Sequence, residues 1–462
     1  MKRLSSITLQ VLLLMLSTNT YAHDVEARNA DGKLIYYIWI NNKTELAVSY
    51  QGYTPGKREY YGNIVIPESV YMGPTYRVTS IISQAFWDCR NLTSVTIPNS
   101  VKSIGYSAFY GCSKLNSISI PNSVTSIESN AFDGTGWYNS QNDGILYLDN
   151  WLLGYKGSKP TGTLSIKGDT KSIANNAFSD CSELTSIIIP NDVTSIGNSA
   201  FRRCSGITTI TIGNGVTTIG ESAFDGCSSI ISITIPNSVK SIEYGAFFGC
   251  KGLTSIIIPN NVTNIGSSAF SNCSNLNSII ISNNVTTIES GTFSNCSSMN
   301  AITIPNSVTN IGRGAFYRCS SLTTINIPNN VTTIEDRVFE DCSGLKTITI
   351  GNSVSSIGKT AFKGCSSLTT VTSLNPIPPK INYNTFENYS ATLQVPIGNK
   401  TAYQNDNYWR GFKNIVEIDP TYIQNVTMDE DKKTPIYDLN GRILESPQKG
   451  INIIGGKKVV VK

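Results

Sequence analysis

The residues able to carry out chemistry are few and unusually placed. The chain has one histidine, His23. Ser-His-Asp and Cys-His nucleophile systems set an imidazole beside the attacking atom. Most zinc and non-haem iron sites use one as a ligand. One imidazole near the N-terminus removes the basis for nearly all of these. Eleven cysteines, Cys89, Cys112, Cys181, Cys204, Cys227, Cys250, Cys273, Cys296, Cys319, Cys342 and Cys365, each stand three residues after a phenylalanine. That spacing is unlike a Cys-x-x-Cys metal site, and the odd count does not fit a closed disulfide framework. A ladder of reduced, buried thiols acting as small hydrophobes is expected. Asp88, Asp133, Asp180, Asp225 and Asp341 follow the same phenylalanines by one or two residues. Two carboxylates facing each other could hydrolyse a glycoside, but these recur along the chain instead of converging, and Asp suits turns. No glycine-rich phosphate loop follows a strand. The expectation is a chain that is not an enzyme and takes no cofactor and no metal.

The elements that hold these residues repeat. The phenylalanines are Phe86, Phe109, Phe132, Phe178, Phe201, Phe224, Phe247, Phe270, Phe293, Phe316, Phe339 and Phe362. Each step is 23 residues except Phe132 to Phe178, which is 46, or two periods; Phe386 follows after 24. Within one period, Leu92-x-x-Val95-x-Ile97 alternates like a strand with one buried face. Pro98-Asn99-Ser100 is a turn in which Asn can bond its own backbone. Val101-x-x-Ile104-Gly105 brings the chain round, and Ala108-Phe109 plugs the coil. A single coil has too little core to fold alone, so stability must come from stacking on its neighbours. Stacking would align Ile97, Ile120 and Ile189 inward, and Asn99, Asn122 and Asn191 at the turn. The fold class expected is a β-rich solenoid, with 23-residue coils stacked into a right-handed arc of short parallel strands and capped at both ends.

Outward strand positions are small and polar, among them Ser94, Thr96, Thr209, Thr211, Thr234, Thr324, Thr347 and Thr349. Variation lies just after the phenylalanine. Trp87, Tyr110, Arg202, Arg203, Phe248, Tyr317, Arg318 and Lys363 form a candidate ligand-contact row, since exposed aromatics and arginines on a rigid frame carry interface energy. The alternative is a solvated turn row.

The motif Leu-x-x-Ile-x-Ile-Pro-x-x-Val-x-x-Ile-Gly-x-x-Ala-Phe-x-x-Cys resembles the BspA-type leucine-rich repeat over about Gly62 to Pro376, two thirds of the chain. The resemblance implies a leucine-rich-repeat solenoid and a bacterial cell-surface protein. Some relatives of that kind adhere to host matrix or to other microbes. It carries over no binding residue.

The ends fit an exported protein. Lys2 and Arg3, the apolar stretch Ile7 to Leu16 and the small residues of Thr20-Tyr21-Ala22 read as a signal peptide over 1–22. Residues 23–61 read as an N-terminal β cap, 62–376 as the solenoid with a hairpin excursion at 137–160, and 377–420 as a C-terminal cap after Pro376-Ile377-Pro378-Pro379. Residues 421–462 read as a linker, with the charged run Asp429 to Lys433, and a short β tail. Within it, Tyr437-Asp438-x-x-Gly441-Arg442, Gly450-Ile451 and Lys458-Val459-Val460-Val461-Lys462 are similar to type IX secretion sorting domains. A small β-module with no sorting role is the other reading.

Composition agrees with that organisation. At 462 residues, 40% hydrophobic and 15% charged, the chain can bury a core, and no segment after the leader is long and apolar enough to span a membrane. Lys plus Arg at 36 against Asp plus Glu at 32 leaves a net charge of +4, too little to draw in nucleic acid. Two function classes follow: a surface scaffold binding a host or microbial protein or glycan, or a structural, self-associating envelope component with no specific ligand. Circular dichroism of the purified chain should be dominated by β signal; a helix-dominated spectrum would exclude the stacked-coil fold.

Overall fold

The fold was analysed in a computed structural model that describes residues 23–50, 52 and 60–419, with the backbone of four short strands between 436 and 461. Residues 1–22, and with them the signal peptide, lie outside the described residues, as does the charged run at 429–433. The chain divides into two compact units: residues up to 160 with 170–177, and 161–169 with 178 onward.

The first unit opens with antiparallel strands Val25–Arg28, Leu34–Ile40 and Glu45–Ser49. The apolar runs at 34–40 and 46–49 account for the second and third. Pairing then turns parallel: Glu45–Ser49 lies beside Thr75–Ile81, and Gly62–Val65 beside Leu92–Thr96. After Phe132 the regular coil gives way to a short helix, Gly136–Ser140, whose first turn is closed by the Thr135 hydroxyl accepting from Tyr138 N. An antiparallel hairpin, Gly144–Leu148 with Trp151–Lys156, follows it.

The second unit is built of two parallel ladders. One runs through the Leu-x-x-Ile segments, as in Thr324–Ile327, Thr347–Ile350 and Thr370–Ser373, where each residue pairs with the one 23 positions later. The other consists of two-residue strands, such as Thr218–Ile219, Ser241–Ile242 and Asn264–Ile265. The segment expected only to bring the chain round is therefore a second sheet. Its strands are too short for alternation to reveal them, because a single outward Ser, Thr or Asn precedes a single buried Ile.

The core is a column of like residues. From Phe178 to Phe386 each phenylalanine ring stacks on the next at 4.8–5.9 Å, with ring planes within 19° of parallel. In the first unit Phe86, Phe109 and Phe132 stack at 4.9 and 5.5 Å. All eleven thiols are buried and free. Most are also hydrogen bonded: Cys227, Cys250, Cys273, Cys296, Cys319, Cys342 and Cys365 each donate Sγ–H to the carbonyl of the phenylalanine one coil back, at 3.1–3.2 Å. Two of the turn asparagines bond from one coil to the next rather than within their own turn. Asn191 and Asn329 accept from the N–H of Asn214 and Asn352, and the neighbouring Asn261, Asn284 and Asn330 donate to a carbonyl of the preceding coil.

Pro376 to Pro379 does not end the parallel pairing. Thr392–Pro396 adds in parallel to Thr370–Ser373, and Asn414–Ile418 adds to that. Proline removes a donor only where it stands, and the ladder resumes beyond it. Beyond the prolines Trp409 is fully buried, donates Nε1–H to the Pro379 carbonyl at 2.7 Å, and packs with Phe412 against Phe386. In the tail, Gly450–Ile454 and Lys457–Val461 pair antiparallel, and Ile436–Tyr437 joins them.

Two predictions follow from this core. Phe247→Ala opens a void between two rings and should cost about 3–5 kcal/mol, measured by chemical denaturation. Burial pushes the Cys273, Cys319 and Cys365 thiols up to about 12, and Cys227, Cys250, Cys296 and Cys342 well above their ordinary value of 9.0. The folded state thus keeps thiol protons that the unfolded chain gives up. Their contribution to stability is whole below about pH 9 and is lost as pH climbs towards 12. Alkaline unfolding curves should show this loss, and Cys273→Ala should flatten it; native protein should resist alkylation at neutral pH.

Candidate ligand-contact face

Each coil makes a tight corner on either side of its phenylalanine. The residue two places after Phe is left-handed in coil after coil: φ is 56° at Asp88, 61° at Asp180, 56° at Arg203, 61° at Asn272, 59° at Asn295, 57° at Arg318 and 60° at Asp341. Gly111, Gly226, Gly249 and Gly364 hold the same slot at 67–73°. Asp, Asn and Gly suit that region, whereas an arginine is held there against its preference. Sequence spacing alone could have shown this row, since Gly, Asn and Asp recur at Phe plus two.

The corner sets the side chains before and after it facing solvent. Trp87, Tyr110 and Phe248 are 42%, 43% and 38% exposed. Arg203, Arg318 and Lys363 are exposed, while Arg202 and Tyr317 are half-buried. Trp87 and Tyr110 belong to the first unit and the others to the second. Tyr317 and Arg318 do come together, with the guanidinium carbon 4.9 Å from the ring centroid; Arg337, which sequence reading passed over, takes an equal position on the same ring. The row is also less uniform than expected, for Ser271 in the slot after Phe270 is buried.

The candidate arginines are engaged in ion pairs across coils. Arg202 Nε lies 2.9 Å from Asp225, Arg318 Nε 3.2 Å from Asp341, and Arg203 3.8 Å from Asp180. Each pair spans 23 residues, so one period between opposite charges was the available signal. These groups are partly or largely exposed, so each pair contributes ~0–1 kcal/mol. The acids have structural partners of this kind: Asp88 accepts from Arg90 at 2.8 Å. Asp133 is held above the usual carboxylate range by burial. Among the described residues no three His, Cys, Asp or Glu side chains come together as a metal cage.

The outer strand face is less polar than expected. Ile188 and Ile231 are 45% and 59% exposed among the Ser and Thr positions, and Ile257 and Ile280 pair side by side there. On the corner side lies an open groove of about 530 Å³ lined by Lys251, Asn272, Asn295, Arg318, Asp341 and a serine from each of four coils.

A parallel β-solenoid whose coils repeat Leu-x-x-Ile-x-Ile every 23 residues is a leucine-rich-repeat architecture. The family model described as the BspA type leucine-rich repeat region matches residues 74–142, 171–300 and 263–393, in six copies. The chain belongs to that family. Among solved structures it is similar to a leucine-rich repeat protein from Bacteroides ovatus (27% identity, 78% of this chain and 98% of that one, TM-score 0.34). A leucine-rich cell-surface protein from Faecalibacterium prausnitzii matches at 26% identity over 87% of this chain and 97% of its own, with TM-score 0.34. The pneumococcal vaccine antigen PcpA matches at 17% identity over 86% and 99%, also at 0.34. No functionally curated protein matches.

The left-handed corner gives a direct test. Arg203→Gly relieves the backbone while losing one exposed ion pair, and its stability should stay within about 0.5 kcal/mol of the parent. Arg203→Val places a β-branched residue at positive φ and should cost on the order of 1–3 kcal/mol by thermal denaturation.

Proposed function

We propose that this chain is an exported, surface-displayed binding scaffold with no catalytic role, which holds a host or microbial protein or glycan against the side chains that follow the repeat phenylalanine. The observation that carries the reading is the contrast within each coil. Phe, Cys, Ile and Val slots repeat one buried type, while the solvent-facing slot next to Phe changes from Trp87 to Tyr110, Arg202, Phe248, Tyr317 and Lys363. A uniform interior with a varied, rigidly spaced exterior suits recognition, since little side-chain and loop order remains to be lost on binding. The lone His23 sits at the start of the described chain beside Glu26.

Residues 1–22 serve as the export signal, 23–61 and 377–420 cover the ends of the repeats at 62–376, and 421–462 is a linker and sorting tail for type IX secretion. The antiparallel strands of that tail are compatible with a small exported β-module. No helix among the described residues is long and apolar enough to cross a membrane.

Arrays of matrix proteins and glycans probed with the purified chain test the proposal. Capture of a discrete ligand is the expected result. Changing Arg202, Arg203 and Arg318 together to Ser should weaken that capture with stability changed by no more than about 1 kcal/mol per lost pair. Capture unaffected by the triple change, and lost instead on altering Thr209, Thr211 and Thr234, would move the contact to the strand face. No capture by a monodisperse chain would refute the scaffold reading, and self-association in its place would favour a structural envelope role.

A further inference from the structure

The groove on the corner side is a built compartment rather than a stretch of plain surface. In coil order, the slot after Phe holds Phe248, Ser271, Ser294 and Tyr317. Two coils with a small residue in this slot thus lie between two with an aromatic one. The left-handed slot beside them carries Asn272 and Asn295 in adjacent coils, flanked by Gly249 and Arg318. Each Asn donates Nδ2–H to the preceding serine hydroxyl at 3.2 Å, which fixes the amide and leaves its carbonyl oxygen with no partner among the described residues. Lys251 stands at one end, its ammonium without an ion pair among the described residues, and hydroxyls of Ser274, Ser297 and Ser320 line the far side. Three coils on from Lys251, Arg318 and Arg337 both pack on the Tyr317 ring and Arg318 is tied to Asp341, and the lining continues through Ser343 to Gly364.

We infer that this groove is a glycan subsite, and that its ligand is a short oligosaccharide bearing a carboxylate at the unit nearest Lys251. This rests on the binding-scaffold reading above and deepens it. From Lys251 to Arg318 the groove crosses three coil steps, roughly 15 Å at the spacing of parallel strands. That length accepts three to four sugar units, with one coil step close to the advance of one pyranose along an extended chain. The floor offers amide carbonyls and hydroxyls at that repeat, which match sugar hydroxyls. The Phe248 ring offers an apolar face to a sugar ring. Lys251 supplies the one uncompensated charge. A peptide is the poorer fit: the groove has no unpaired strand edge to extend and no deep apolar pocket for an anchor side chain.

The test uses the purified chain and isothermal titration with galacturonate, glucuronate and mannuronate tetrasaccharides, their carboxyl-reduced neutral counterparts, and tetraglutamate. At least one uronate should bind, with affinity falling as salt rises, and its neutral counterpart should bind at least roughly tenfold more weakly. Lys251→Gln should reproduce that loss. Asn272→Gly with Asn295→Gly should also weaken binding about tenfold at unchanged melting temperature, because Gly226, Gly249 and Gly364 already occupy this slot in the same chain. Binding of no uronate, equal binding of the neutral tetrasaccharide, binding of tetraglutamate in preference, or full affinity in the double-glycine variant would each overturn the inference. If the arrays capture a ligand that the double-glycine variant still holds undiminished, the subsite fails while the scaffold reading stands; if the parent captures nothing, both fail.

Discussion

Everything in this protein depends on one coil superimposing on the next. The Phe column makes that requirement physical. Stacked rings at about 5.5 Å, as between Phe201, Phe224 and Phe247, fix both the rise and the rotation per coil. The cysteine three residues on then uses its Sγ–H to satisfy the phenylalanine carbonyl one coil back. That carbonyl already accepts the N–H of the cysteine in its own coil, as Phe224 does from Cys227, so the thiol fills its second acceptor position and adds a weak bond from one coil to the next. The thiol is thus more than a space filler, although size alone had suggested that role. Burial also keeps it protonated, which preserves the donor and makes it a poor nucleophile.

Superposition governs the surface as strictly as the core. A side chain's nearest neighbours are the same slot one period before and after it. An arginine at 202 therefore meets Asp225, and an arginine at 318 meets Asp341. Turn asparagines bond along the stack for the same reason, since the next turn's backbone is closer than a second donor in their own. Glycine is forced where coils approach most closely. A Cβ at Gly213 would stand 2.2 Å from the Pro190 carbonyl oxygen, so that turn replaces Pro-Asn-Ser with Gly-Asn-Gly.

How legible each feature was follows from how many residues report it. The period, the inward Ile positions and the buried Phe and Cys are written a dozen times over and stand out from sequence alone. The sheet through Ser241–Ile242 and Asn264–Ile265 has two residues per strand, and two residues cannot display alternation. The continuation through Thr392–Pro396 and Asn414–Ile418 was hidden because its spacing is 22 and its coil lacks the Ala-Phe-x-x-Cys mark. Outward Ile188 and Ile231 went unnoticed for a different reason. In a run such as Ile187-Ile188-Ile189 composition cannot tell which residue faces solvent. The ion pairs were visible in principle, but only after the period was applied to charges as well as to hydrophobes.

The same geometry bears on which groups a stacked-coil surface can bring together. A catalytic centre needs unlike groups, an acid, a base and an oxyanion donor, converging within hydrogen-bond reach. A solenoid lines up like groups in rows, and successive rows diverge around the coil. Unlike groups meet only where one row changes identity from coil to coil beside another that also changes. Along the described repeats that happens at the corner after Phe, where Phe248, Lys251, Asn272, Asn295, Tyr317 and Arg318 fall on consecutive coils. What assembles there is a set of hydrogen-bonding and stacking groups at a fixed pitch, spread over several coils. Such a set can match the repeat of an extended ligand.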